Sequence, residues 1–157
     1  MSANKDRPPR IVVGVDGSPS SRMALSWAVR QAKVTGAIVD AVIAWQIPAE
    51  LTGYGWAPVT IAEATGFEDS AKRVLEEAIS DVAGSDDQQV WLQTQIVQGI
   101  PARVLLDASA DADLLVLGRR GHGGFEDALL GSVSQHCVQH ARCPAVIMRD
   151  DVAEAVA

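Results

Sequence analysis

Five short apolar runs alternate with helix-like segments along this chain, and that alternation permits few architectures. The runs are Ile11 to Val15, Ile38 to Trp45, an alternating stretch on Val90, Leu92, Thr94 and Ile96, Leu114 to Leu117, and Ala145 to Met148. Continuous apolar runs such as the first and fourth suit strands buried on both faces. Strands separated by helices form a parallel sheet covered on both sides, with right-handed crossovers. The spacing therefore predicts the order β-α-β-α-β-α-β-α-β in a doubly wound sheet.

The intervening segments carry helix signals. Ser18 is placed to cap a helix whose first residue is Pro19. Ala24, Trp27, Ala28 and Ala32 then share one face, and Gly36 closes the helix beyond about Val34. A second helix has Phe67, Ala71, Val74, Leu75, Ala78 and Val82 at amphipathic spacing, broken by residues 83–87. A short helix is expected over about 101–110, and a last one from near Ser132 until Pro144 stops it. Gln46 to Thr60, with Pro48, Gly53, Gly55 and Pro58, reads as one long connection of the kind that often carries function. There is no internal repeat.

At 157 residues the chain fits one domain with a substantial core. No apolar run approaches the ~18 residues that cross a bilayer, and the polar first ten residues lack a signal segment, so the expectation is a cytoplasmic protein with no membrane partner. The formal charge of −7 argues against general nucleic-acid binding, which needs a basic face. A small anion remains open to it, because backbone N–H groups bind phosphate even on an acidic protein. The run His136-Cys137-x-x-His140-x-x-Cys143 offers four potential metal ligands. A helix there puts Cys137 on the apolar face with Val133 and Ala141, so Cys137 reads as a core residue and no metal is expected.

In an open parallel sheet ligands bind beyond the carboxyl ends of the strands, where the winding reverses. Two such places are chemically distinctive. After the fourth strand, four glycines fall within seven residues, Gly118, Gly121, Gly123 and Gly124, and Gly131-Ser132 then opens a helix. Glycine lets the backbone approach a ligand closely, and the first N–H groups of a helix lack partners within it. Those groups and the helix dipole favour a phosphate, and Arg119, Arg120 and His122 add positive charge. The alternative is a surface turn leading into an ordinary Ser cap. At the end of the first strand, Asp16 suits ribose hydroxyls, or it caps the turn that follows. The P-loop, the dinucleotide fingerprint and the G-x-S-x-G elbow are all missing. No base stands obviously beside a nucleophile, so binding is expected rather than catalysis.

From Arg10 to Arg149 these residues resemble the universal stress protein family. Ile11-Val-Val-Gly-Val-Asp-Gly-Ser18 looks like the family's first strand and acidic turn. The signature of its ATP-binding branch, G-x2-G-x9-G-[ST], is matched by Gly118, Gly121, Gly131 and Ser132. Leu129 to Ser134 and Cys143 to Ile147 resemble the closing segments. The resemblance implies a single universal stress protein domain over 10–150, with flexible tails at 1–9 and 151–157. Its fold would be an α/β, Rossmann-like (adenine nucleotide alpha hydrolase-like) five-stranded parallel sheet of strand order 3-2-1-4-5, with helices on both faces.

The resemblance also implies roles. Gly14 and Asp16 would line the nucleotide, with Asp16 on the ribose and Gly118 beneath it. The Ala44 backbone would meet adenine, with Ile43 and Trp45 beside it. Arg119, Gly121, His122, Gly123, Gly131, Ser132 and Val133 would surround the phosphates, with the hydroxyls of Ser132 and Ser134 in reach. ATP with Mg²⁺ is the implied ligand, and a homodimer through Ala145 to Met148 the implied assembly. Arg119-Arg120 departs from the smaller or neutral residues common between the family's first two glycines; the two cations would clamp phosphates or face solvent, and at least one is expected to face solvent. The function implied is regulatory. The alternatives are a slow ATPase or phosphotransferase, for which His122, Glu126 and Asp127 are the nearby candidates, and an interaction module of the same fold without a nucleotide.

Overall fold

The computed structural model describes residues 6–53, 58–83, 89–120 and 129–149. In chain order its elements are β1 (Arg10–Gly14), α1 (Pro19–Thr35), β2 (Ile38–Trp45), α2 (Ala49–Gly53), α3 (Ile61–Ala83), β3 (Leu92–Gln98), α4 (Pro101–Ala108), β4 (Leu114–Gly118), α5 (Ser132–His140) and β5 (Ala145–Met148). All four strand pairings are parallel, in the order β3-β2-β1-β4-β5. The predicted architecture and strand order therefore hold.

The central strands are apolar on successive residues because both sides are covered. Ile11 and Val13 of β1 pack with Ala24, Leu25 and Ala28 of α1 and with Ala71, Leu75 and Ala78 of α3. Val12, one residue out of phase, packs with Val104 and Leu105 of α4 and Cys137 of α5. Strand periodicity thus separates a layer of α1 and α3 from a layer of α4 and α5.

The helix signals act as expected at α1. The Ser18 side chain accepts from the Ser21 N–H, Pro19 starts the helix, and Gly36 ends it at φ 73°. The connection read between Gln46 and Thr60 is corrected by α2, a single turn started after Pro48. Its residues 54–57 lie outside the described structure. Helix α3 opens with a reciprocal cap: the Thr60 N–H donates to Glu63 Oε2 at 2.8 Å and the Glu63 N–H to Thr60 Oγ1 at 3.2 Å. Strand β3 begins two residues later than the alternation at Val90 suggests. Residues 6–9, expected to belong to a loose tail, are tied down instead. The Arg7 guanidinium donates to the Asp111 carbonyl, and the Ile38 N–H donates to the carbonyl of Pro9.

At the amino end of the sheet Asp40 is 1% exposed. Its Oδ2 accepts from Arg10 at 2.7 Å and from Gln95 at 2.7 Å, while Arg10 also donates to the carbonyl of Ala108. This polar knot joins β1, β2, β3 and α4 at the end opposite the candidate site. A buried carboxylate is tolerable there because a cation and an amide meet it.

Candidate functional site

The strand order reverses between β1 and β4, and a cavity of about 290 Å³ lies there. Its floor is the carboxyl ends of β1 and β4, with Gly14, Leu117 and Gly118. One wall is the turn into α1, with Asp16, Ser18 and Ser21, and the other is Pro101 and Leu105 of α4. The first residues of α5, Ser132 to Ser134, stand over it after Gly131.

Two glycines set this geometry. A Cβ on Gly118 would run into Ser20 Oγ and would lie 2.7 Å from the Ser20 carbonyl carbon and 2.8 Å from the Ser21 nitrogen. No side chain can stand where β4 ends against the first turn of α1. A Cβ on Gly14 would come within 2.8 Å of Leu117 Cδ2 and 3.0 Å of Leu105 Cδ1, which are side-chain ends with some freedom to move.

Side chains lock the mouth of the site. Asp16 Oδ1 accepts from the Ser18 N–H at 2.9 Å, so this carboxylate does shape the turn, and it remains exposed. Ser20 Oγ donates to the carbonyl of Arg120 at 2.6 Å, fixing the chain as it leaves β4. The Ser134 hydroxyl donates to the Gly118 carbonyl at 2.6 Å. That bond makes Ser134 a strut between α5 and β4. The N–H of Gly131 donates to the Arg119 carbonyl at 2.8 Å, and the Arg119 N–H to that of Met148 at 2.7 Å.

Helix α5 opens differently from α1. Its N-cap residue is Gly131, which has no side-chain oxygen with which to cap the first turn. The turn that faces the cavity thus brings helix N–H groups and the positive dipole end without an acceptor from its N-cap side chain. Within α5 only one face is apolar: Cys137 is fully buried, and burial pushes its thiol up to about 11. An inert core cysteine follows, as the helical face predicts.

Of the residues expected at a site, Gly14, Asp16, Ala44, Gly118, Gly131, Ser132, Val133 and Ser134 all border the cavity. Ala44 projects into the α4 and α5 layer, whereas Ile43 and Trp45 pack in the opposite one, so they do not flank it on the same side. Arg119 does not line the cavity, and Arg120 does. Both are half-buried rather than turned out to solvent. Gly121, His122, Gly123, Glu126 and Asp127 lie outside the described residues. Ser18, Ser21, Pro101 and Leu105 were not expected. The Ser18 cap hinted at its own position, but no local signal brings α4 to this crevice.

The fold and crevice define a doubly wound α/β domain with an anion-suited pocket at its switch point. The chain belongs to the universal stress protein family, whose sequence profile matches residues 9–149. A universal stress protein of Mycobacterium tuberculosis is 34% identical over 149 residues, spanning 91% of this chain and 45% of that protein. The chain thus spans about half the length of that relative. Among solved structures, the universal stress protein UspA from Lactobacillus plantarum is 25% identical with TM-score 0.69, covering 92% of this chain and all of that one. A universal stress protein solved in complex with cAMP is 25% identical with TM-score 0.54, over 90% and 97% of the two chains. Among the described residues no helix is long and apolar enough to cross a membrane.

Proposed function

We propose that the chain binds ATP, with Mg²⁺ on its phosphates, in the crevice between β1 and β4, and that it acts as a regulatory homodimer. The observation that carries this reading is the first turn of α5, which meets the cavity behind an N-cap glycine that has no side-chain acceptor of its own. Phosphate oxygens are the natural acceptors for such a turn.

The residues fit an adenine nucleotide. The exposed carboxylate of Asp16 can accept from ribose hydroxyls while one of its oxygens holds the Ser18 N–H. The backbone at Ala44 can meet the base, and Leu105 and Pro101 give the apolar wall that an adenine ring prefers. Arg120 adds a cation near the phosphates. A volume of about 290 Å³ is at the lower end of small-molecule sites. The relative that binds cAMP supports the ligand class, and the G-x2-G-x9-G-[ST] string supports a longer phosphate chain.

Assembly through β5 is supported by its position at the sheet edge. Arg119, just after β4, and Leu115 of β4 donate to the carbonyls of Met148 and Pro144 respectively. In a parallel ladder alternate residues bond to alternate sides, so the backbone polar groups of Ala145 and Ile147 face outward for a second copy.

Calorimetry against ATP, AMP and cAMP tests the ligand. ATP should bind most tightly. Asp16→Asn keeps an oxygen for the Ser18 turn but removes the charge, and should weaken ATP by about 10- to 100-fold. Equal affinity in wild type and variant would remove Asp16 from the site.

A further inference from the structure

His136 and His140 are four residues apart on α5, and both are exposed. One helical turn sets such residues above one another on the same face. Their ring centroids are 4.5 Å apart and the rings are tilted by 44°, so they stand side by side without stacking. Imidazole is the commonest metal ligand among side chains, and a helical pair of histidines at this spacing is how the H-E-x-x-H motif grips zinc. We propose that His136 and His140 form a two-imidazole site for one divalent first-row transition ion of the Zn²⁺, Ni²⁺ or Cu²⁺ class.

The surroundings favour a cation. His140 lies in the last turn of α5, where the negative end of the helix dipole attracts positive charge. Cys137, between the two in sequence, is fully buried and spent on the core, so it adds no third ligand. Among the described residues no group of three or more His, Cys, Asp or Glu converges on one point. With two imidazoles as its protein ligands, such a site would take water in its remaining positions and be open-sided rather than a closed structural one. The glutamate that serves as base in H-E-x-x-H is replaced by Cys137, so the pair binds without hydrolytic chemistry.

This site is independent of the nucleotide reading, because it lies at the other end of α5 and prefers nitrogen ligands to the oxygens that Mg²⁺ selects. Chelation would pin residues 136–140 in helical form, and metal would raise thermal stability by mass action.

The test is titration of the full chain, stripped of metal and free of nucleotide, with Zn²⁺. One ion per chain should bind, with a rise in Tm reversed by EDTA. His136→Gln and His140→Gln, which keep good helix formers, should each lower affinity by at least about tenfold. Cys143→Ser should leave it unchanged. No uptake, uptake unaltered in both glutamine variants, or uptake lost only in Cys143→Ser would overturn the proposal.

Discussion

Gly118 decides at the scale of one residue whether the site can exist. Its α-carbon faces backbone atoms of Ser20 and Ser21 at 2.7–2.8 Å from where a Cβ would stand, and backbone does not step aside. Gly14 faces only the ends of Leu117 and Leu105. Gly118→Ala should therefore cost about 1–3 kcal/mol by overpacking, and Gly14→Ala less, as denaturant unfolding of the two variants will measure. The reverse ranking would mean that the approach of α1 to β4 is looser than described. The sequence marked Gly118 as special for nearness to a ligand. The structure adds a reason that the local sequence does not hold, since Ser20 lies 98 positions away.

Helices carry the next level. The cap of α3 depends on Glu63, whose carboxyl is held below its ordinary 4.5 by the Thr60 backbone N–H first and the Thr60 hydroxyl second. A depressed folded-state value means that the cap stabilises above the ordinary carboxylate range and fades as pH falls through the lowered value. Glu63→Gln should thus lower Tm near neutral pH, and the gap from wild type should narrow as pH falls through the lowered carboxyl value; a gap that does not depend on pH would assign the effect to packing. Elements were legible where the signal is local. Ser18, Pro19 and Gly36 delimited α1, and apolar runs delimited the strands. The short α2 was not legible, because Pro48 and Gly53 also punctuate loops. The wall formed by Pro101 and Leu105 was invisible for a different reason: the crossover brings α4 to β1, and no residue in α4 announces its neighbour.

For the whole molecule, the doubly wound parallel fold followed from the alternation and the strand order from the family resemblance, while the proposed assembly depends on one edge. Ile147 directs its N–H away from β4, so Ile147→Pro removes an outward donor without breaking the β4 ladder. Sedimentation should show a wild-type dimer and a folded Ile147→Pro monomer. A dimer that persists in the variant would move the interface elsewhere. The acidic balance of the chain, −7 overall, is compatible with an anionic ligand because the attraction is local to one helix end.

The proposed site depends on the opening of α5, whose first turn would offer its N–H groups to a phosphate. Amide chemical shifts recorded during ATP titration measure this directly. Large, saturable shifts are expected at Ser132, Val133 and Ser134, accompanied by Asp16 and Gly118. Saturation with ATP that leaves those amides unmoved would contradict it, whatever the affinity.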